Sequence, residues 1–393
     1  MAFKSLFIKG RVGHIGLDVS TDALAAVQLE GVPNGKRFSV AGWSRVKLEP
    51  GIVHQGRILK SDKFVEALKK LFSQPSYGQL DGRHLILSLA EHQSYHKAFS
   101  VKRVGKSDSL VNMAHHEISQ VVPFPIVEMQ WDWQLVLEQP KYYHFYTLAV
   151  RKEVIEEYRQ AFRSVNMMMS VIEPQVVSAS RLLFEHQTIA EPVVYLEIGS
   201  EEIAVATIDQ MGVHQSSVID GGINSWISSL AKDLKVKKNV ANKVLNTVGL
   251  RKVKHEKAHV IQEVIQQGLQ PVIREIEQHK TFYKYIHGDK DVPLQSLMIS
   301  GEGAMVPGIG EALSSKLKLD LRQVQTWAKF QPAFTPQQVV YLHNAIGAAL
   351  RGLYLARSRA EGINVLFIRK SLVTKKKRWW SADLTKKSSS SKE

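Results

Sequence analysis

The sequence predicts an α/β protein in which two related lobes face a cleft and a smaller α+β unit is inserted in the first lobe. Two observations support this. A strand, a short turn and a second strand open the chain and recur near its middle, where a shift of 179 positions places Asp18 on Glu197 and Ala25 on Ala204. A separate run of strands and helices lies between the two copies. With 393 residues, 44% of them hydrophobic and 23% charged, the chain is long enough for two or three globular domains.

The first lobe begins with a meander of three strands. Alternation of apolar and polar residues predicts them at 13–20, 25–30 and 38–48, and the Asn-Gly pair in PNGKR predicts the turn before the third. Ser61 is expected to cap a helix. The apolar face of that helix, at helical spacing, is Phe64, Leu68, Leu71 and Phe72. A strand at 84–90 follows.

The inserted unit has its own pattern. Strands are predicted at 92–101, 129–138 and 142–150, and helices at 107–122 and 153–165. A strand ending at Glu173 then returns the chain to the first lobe, and Pro174 is expected to begin a helix that continues to about residue 186. We therefore place the first-lobe core at 1–85 and 169–190 and the insertion at 86–168.

The second lobe repeats the opening pattern. Strands are predicted at 193–199, 201–209 and 213–220 and a helix at 223–234. The remainder is predicted as helix over 236–288, strand at 297–304, and helices at 307–317 and 336–355, the last expected to pack on the first lobe. These predictions place the second lobe at 191–334, the C-terminal helix at 335–357 and a basic, partly disordered tail at 358–393.

Composition limits the function classes. The chain has no cysteine, which excludes a disulfide framework, a thiolate metal site and a cysteine nucleophile, and fits a reducing cytoplasm. No stretch approaches the roughly 18 apolar residues of a transmembrane helix, and the apolar run in MAFKSLFIKGR is too short for a signal peptide. We therefore expect a cytoplasmic protein whose membrane contact is peripheral.

Almost half of the net charge of +15 lies in the tail, where residues 363–393 include nine basic and two acidic side chains. A basic tail suits nucleic acid or anionic lipid. Cations followed by amphipathic rings favour a membrane surface, and a solubilising tail is the alternative. The residues concerned are Lys375, Lys376, Lys377, Arg378, Trp379 and Trp380. We expect no nucleic-acid partner, because only the tail composition favours one.

Several segments then indicate a family. In order they are MAFKSLF, GLDVS, AAVQLE, LEPGIVHQGRI, HEISQVVPFPIVEMQWDWQL, YLEIG, SGEGAMVPGIGEAL and AIGAALRG. Together they resemble the PilM family, actin-like cytoplasmic proteins of type IV pilus assembly, from residue 1 to about 352. The cell-division protein FtsA is similar in architecture. The resemblance implies an actin-like fold of two RNase-H-like lobes, with an SHS2-type insertion in the first.

The resemblance also implies an ATP and magnesium site in the cleft. Its candidate residues are Asp18, Ser20, Thr21, Glu197, Gly199, Ser200, Gly301 and Gly303, with Asp18 as the candidate magnesium ligand. The family has glycine and lysine where this chain has Ser20 and Ala25, and hydroxyl donors where it has Glu201 and Glu202. Because like charges about 4 Å apart repel by on the order of 4 kcal/mol at an effective dielectric near 20, we interpret the site as degraded. A working ATPase is the alternative.

A partner is implied as well. The resemblance predicts a scaffold at the inner membrane that binds the N-terminal cytoplasmic peptide of a PilN-like bitopic protein, in a groove between the first lobe and the insertion. The chain has its own GINVLF at 362–367, which is similar to that peptide at Ile363, Asn364 and Leu366. We expect this segment either to pack on the first lobe or to occupy the groove. The sequence leaves open whether the protein forms a homo-oligomer.

Overall fold

A computed structural model of the protein describes residues 11–32, 35–103, 109–184, 191–209, 212–251, 257–287, 294–322 and 326–355. The strands are β1 (Arg11–Val12), β2 (Ile15–Val19), β3 (Ala23–Gly31), β4 (Arg37–Lys47), β5 (Val53–His54), β6 (Arg57–Ile58), β7 (Tyr77–Gly78), β8 (His84–Leu89), β9 (Ser94–Lys102), β10 (Met129–Glu138), β11 (Tyr142–Arg151), β12 (Met168–Pro174), β13 (Val193–Ile198), β14 (Glu202–Asp209), β15 (Gly212–Asp220), β16 (Ser296–Ser300), β17 (Asp320–Arg322) and β18 (Lys329–Gln331). The helices are α1 (Ser61–Ser73), α2 (Leu110–Val121), α3 (Lys152–Arg163), α4 (Gln175–Phe184), α5 (Ile223–Asp233), α6 (Lys238–Thr247), α7 (Ala258–His287), α8 (Ile309–Leu317) and α9 (Pro336–Leu355). None of the helices in these ranges is long and apolar enough to cross a bilayer.

An eight-stranded mixed sheet forms the first lobe. Its order is β12-β8-β2-β3-β4-β18, with β1 paired to β3 and β7 to β4. All of β2 is buried, because α9 packs against it and helices cover the sheet. In α1 the predicted apolar face is correct: Phe64, Leu68 and Leu71 are buried, and Phe72 packs at the edge of the same core.

Helix α9 packs against the backbone of the first lobe. A Cβ added at Gly16 would lie 2.2 Å from Ala345 O, and one at Gly347 would lie 1.9 Å from Ser178 O. Glycine is therefore required where α9 meets β2 and α4. The helix has the bounds that its apolar pattern predicts.

A buried ionic cluster ties α9 to the same lobe. The Glu173 carboxylate of β12 accepts hydrogen bonds from Arg181 at 2.6 and 2.9 Å, from Arg351 at 2.7 Å and from Ser178 at 2.6 Å. Burial alone would raise the pKa of Glu173, but the two guanidinium groups outweigh it and lower the pKa to about 2. The cluster thus joins a strand, α4 and α9 through one ionised carboxylate.

The insertion contains a three-stranded antiparallel sheet of order β10-β11-β9, against which α2 packs. These elements span 94–151, a shorter range than the expected 86–168. The difference arises because β8 continues in the first sheet to Leu89, and α3 packs on α1 and β12 of the first lobe.

The second lobe is built on a five-stranded sheet of order β15-β14-β13-β16-β17, and α5, α7 and α8 contribute to its core. Strand β18 lies within the range 191–334 expected for this lobe, yet it pairs in parallel with β4. The chain therefore returns to the first sheet before α9 begins.

Three local predictions are wrong. Ser61 is the first residue of α1, follows the N-cap Lys60, and caps nothing with its side chain. Pro174 ends β12, where it pairs with Leu89, so α4 begins one residue later. The strand predicted to continue to 304 stops at 300, because Gly301 has a φ of 75° and turns the chain into a short 3-10 helix.

Candidate functional site

The two lobes present equivalent hairpins to one cleft. In the β2–β3 hairpin Asp18 pairs with Ala25, and in the β13–β14 hairpin Glu197 pairs with Ala204. The pairings coincide at the same shift of 179 residues that the sequence repeat predicts. The duplication is therefore confirmed at the level of strand register, and both acids stand on the cleft.

The turns of the two hairpins share one geometry. Ser20 N–H donates to Ala23 O, and Gly199 N–H donates to Glu202 O, each at 3.0 Å. The first amide of each turn is thus bonded within the turn. Residues 20–23 have no positive φ, so serine at position 20 strains nothing and the glycine expected there from the family is not needed for the turn itself.

Seven of the eight candidate nucleotide residues line one cavity between the lobes: Asp18, Ser20, Thr21, Glu197, Gly199, Ser200 and Gly301. Six carboxyl groups border it, those of Asp18, Asp22, Glu197, Glu201, Glu202 and Glu302. The volume is ≈ 80 Å³, whereas small-molecule sites typically measure about 300–1,000 Å³. The cavity is smaller than such sites, and its border is rich in carboxyl groups.

Asp18 is the first-lobe acid of the cleft. It is buried, and Gln175 Nε2 donates to its Oδ1 at 2.8 Å. Burial, assisted by the charges of Glu197 and Glu202, raises the pKa of this carboxyl to about 7, although the Gln175 hydrogen bond acts in the opposite direction. The described part of the chain contains no group of three His, Asp or Glu side chains placed to hold a metal ion. Gln175 already occupies one oxygen of Asp18, and the role of Asp18 as a magnesium ligand stays a prediction.

Glu197, the second-lobe acid, has a cation beside it. His343 Nε2 of α9 lies 3.0 Å from Glu197 Oε1, and Asn344 and Tyr195 donate to the same carboxylate at 3.2 Å. Burial disfavours the charged form of both groups, but the attraction between them outweighs burial. The pKa of His343 therefore rises to about 9 and that of Glu197 falls. The second lobe and the C-terminal helix are thereby linked across the cleft floor.

The two adjacent glutamates of the second turn have separate partners. Glu201 accepts a hydrogen bond from Asn224 at 2.6 Å. Glu202 lies 3.1 Å from His92 of the first lobe, and hydrogen bonding to Glu202 raises the pKa of His92 above its usual value. His92 also lies 3.5 Å from Asp220. Glu202 therefore forms part of an interlobe contact.

The glycine-rich loop after β16 is explained by packing. A Cβ at Gly301 would lie 2.5 Å from Ile198 O, and one at Gly303 would lie 2.3 Å from Ile198 Cγ2. Both glycines allow the loop to approach β13, whether or not a ligand binds. Gly303 is the candidate residue that does not line the cavity.

Arg45 is a cleft residue that the sequence interpretation missed. It lies on β4 directly opposite Ala25, and its guanidinium stands 4.6 Å from the centre of the Tyr341 ring. Arg45 lies between the buried Ser44 and Val46 along β4, and this alternation is the same for any strand with one exposed face. Only the register of β3 with β4 reveals that it faces the cleft.

A second candidate surface lies where the insertion joins the first lobe. Val127, in a short 3-10 helix (Ile126–Glu128) before β10, is 73% exposed, and Lys152 Nζ donates to its carbonyl at 2.7 Å. Arg151 stacks over the Phe124 ring at 4.9 Å. The β6 residue Arg57 reaches across to α3, with an ion pair to Glu153 at 2.5 Å. The apolar segment is thus bordered by Lys152 and Arg151, and the adjacent Glu153 is paired with Arg57 of the first lobe.

The tail residues proposed for partner or membrane contact, Ile363, Asn364, Leu366 and 375–380, lie outside the described residues.

Residues 16–353 match the model of the family described as type IV pilus assembly protein PilM. No curated protein matches the chain.

Two of the solved structures that are similar to this chain illustrate its fold. One is the PilM-PilN type IV pilus biogenesis complex, at 17% identity over 87% of this chain and 99% of that chain, with a TM-score of 0.70. The other is MreB5 of Spiroplasma citri bound to AMPPNP, at 11% identity over 85% and 94%, with a TM-score of 0.50. The actin-like fold predicted from the sequence is confirmed.

Proposed function

The chain belongs to the PilM family of type IV pilus assembly proteins, and we propose that within this assembly it is a scaffold that binds a PilN-like membrane protein through a cytoplasmic peptide. The observation that carries the proposal is the family match over 16–353. The similar fold of the PilM chain in the PilM-PilN complex supports the choice of partner. Such a partner would hold the protein at the cytoplasmic side of the inner membrane.

The surface around Val127 is the proposed docking site for the peptide. Its 73% exposure is unusual for a valine, and the half-buried Phe124 and Ile126 continue the apolar surface. An extended apolar peptide would cover these side chains, and the Arg151 and Arg57 groups at the border would contact its polar atoms. The site joins the insertion to the first lobe, as the family resemblance implies.

The experiment is a titration of a fluorescent peptide that comprises the cytoplasmic N-terminus of the PilN-like protein encoded in the same genome. Val127→Asp should weaken binding by at least tenfold, since it buries a charge in an apolar contact. Val240→Asp is the matched control, because Val240 is also exposed, at 44%, but lies on α6 of the second lobe. Equal affinities for the two folded variants would contradict the docking site.

The proposal includes a cleft that binds nucleotide weakly or not at all. Its support is the excess of carboxyl groups, the small cavity and the turn amides already bonded within their hairpins. Calorimetric titration with ATP and magnesium should give a Kd weaker than about 10 μM, which corresponds to roughly 7 kcal/mol. Tighter binding would favour the alternative of an ATPase whose nucleotide state is coupled to assembly.

The tail is proposed as a weak second membrane contact. Basic residues near an anionic surface contribute about 1 kcal/mol each, and tryptophan suits the headgroup layer. In liposome flotation with anionic vesicles, the full chain should be recovered more strongly than a chain that ends at Ser371. Equal recovery would leave the peptide partner as the sole membrane link.

A further inference from the structure

Arg45 occupies a row of residues that crosses the first sheet at the cleft. Ala25 pairs with Asp18 on one side and with Arg45 on the other, so the three side chains project from the same face of the sheet. Ala25 is small, which leaves room above it. Among the described residues that line the cavity, Arg45 is the only Lys or Arg.

The contacts of the Arg45 guanidinium are loose. Nη2 lies 3.6 Å from Asp22 Oδ2 of the first lobe and 3.9 Å from Glu302 Oε1 of the second. Both distances exceed the hydrogen-bond range. A guanidinium offers five N–H donors in a planar fork that matches phosphate oxygens, and Tyr341 supports this fork from one side.

The two acids are close enough to hold the guanidinium but not to satisfy it. Burial raises the pKa of Glu302, and the charge of Asp22 raises it further. The other cation at the cleft floor, His343, is paired with Glu197. An oxyanion that enters the cleft therefore meets one guanidinium, that of Arg45, whose N–H donors are not all used. It competes with Asp22 and Glu302 for this guanidinium.

We propose that Arg45 is the anion-binding residue of the cleft and that its ligand is a phosphate-bearing anion such as a nucleoside diphosphate. The side chains of Asp22 and Glu302 compete with this ligand for the Arg45 guanidinium and so weaken its binding. This inference rests on the proposed weak nucleotide cleft and gives its cause. Because Asp22 and Glu302 belong to different lobes, Arg45 lies between the two walls of the cleft, at ion-pair distance from each.

The test compares three variants by calorimetry with ADP and magnesium, and separately with inorganic phosphate. Asp22→Asn/Glu302→Gln should bind ADP at least tenfold more tightly than the parent. Addition of Arg45→Ala should abolish that gain. Asp233→Asn/Glu263→Gln is the matched control, since it also removes two negative charges from the second lobe, at exposed residues that do not line the cavity.

A gain in the first variant that Arg45→Ala removes and the control lacks supports the proposal. An equal gain in the control, a gain that survives Arg45→Ala, or no gain in a variant with unchanged thermal stability overturns it. If inorganic phosphate binds and Arg45→Ala abolishes this binding, the site accepts any phosphate group. If ADP binds and inorganic phosphate does not, the ligand is a nucleotide. Tight ADP binding by the parent protein would instead contradict the proposed weak nucleotide affinity of the cleft. In that case a loss of ADP affinity in the single variant Arg45→Ala would still test whether Arg45 binds the anion.

Discussion

Asp18 and Glu197 stand at equivalent positions on opposite walls of the cleft, yet the structure favours a neutral carboxyl at one and a carboxylate at the other. Burial raises the pKa of Asp18 to about 7. Burial acts on Glu197 as well, but His343 at 3.0 Å outweighs it and lowers its pKa. The difference lies in the partner: Asp18 has an amide, Gln175, where Glu197 has a cation.

Asp18→Asn should stabilise the protein at high pH. The ordinary pKa of 3.8 applies to the unfolded chain, so between pH 4 and 7 the folded state binds the proton more tightly and stability falls as pH rises. A shift from 3.8 to about 7 corresponds to about 4 kcal/mol of stability lost over that range. Asparagine keeps the shape without the charge, so the Tm difference between variant and parent should increase from pH 5 to pH 8.

Asp233→Asn is the control for this measurement, because Asp233 is an exposed carboxyl on α5. Its Tm difference should not change over the same pH range. A pH-independent difference for Asp18→Asn would show that Asp18 is ionised in the folded protein.

Arg351→Ala should strongly destabilise the first lobe. The substitution removes a 2.7 Å contact to the buried Glu173 carboxylate and leaves Arg181 as its remaining guanidinium partner. Breaking a buried ion pair typically costs about 3–5 kcal/mol. Chemical denaturation should therefore show a large loss. Arg163→Ala is the matched control, since Arg163 is 67% exposed and 3.8 Å from Glu156, and it should cost less than about 1 kcal/mol. Similar losses in both would contradict the role assigned to the cluster.

The sequence identified the parts of the site that lie within local patterns. The repeat placed Asp18 and Glu197 correctly because each hairpin is a contiguous segment with its own period. Arg45 was missed because its position in the cleft depends on which residue of β3 it faces. His343 lies on α9, almost 150 residues after Glu197, so only the packing of α9 brings the two together.

The same distinction applies to the expected nucleotide loop, whose role stays a prediction. Gly301 and Gly303 resembled a ligand-binding pattern, and the structure gives both glycines a packing reason, the close approach to Ile198. Periodicity and motif cannot separate these causes, because close backbone approach requires glycine in either case. The two interlobe contacts of Arg45 and His92 likewise join residues that share no local pattern with their partners.

Gly347→Ala should dislodge α9 from the first lobe. The new Cβ would lie 1.9 Å from Ser178 O, and backbone on both sides prevents relief by a rotamer change. Overpacking a tight contact costs about 1–3 kcal/mol or more, so we expect a loss at the upper end of this range in chemical denaturation. Gln337→Ala, at an exposed position on the same helix, controls for helix propensity. A stable Gly347→Ala variant would show that α9 does not pack at this distance.

His279 should make the second lobe sensitive to acid. The ring is fully buried on α7, where Nδ1 lies 3.1 Å from Thr207 Oγ1 and Nε2 lies 2.8 Å from Ser217 Oγ, with Glu275 at 3.7 Å. Burial lowers its pKa from 6.5 to about 4. The neutral ring is thus favoured in the folded state, and the unfolded chain takes up the proton first as pH falls.

Stability contributed by the neutral His279 is fully present above pH 6.5 and is lost as pH falls from 6.5 towards 4, by up to about 3 kcal/mol. His279→Gln retains hydrogen-bonding capacity without a titrating group, so it should reduce the fall in Tm between pH 7 and pH 5. His259→Gln, at an exposed site on the same helix, serves as the control and should leave that fall unchanged. If the parent and His279→Gln lose Tm equally on acidification, proton uptake by His279 is not the cause of the acid sensitivity.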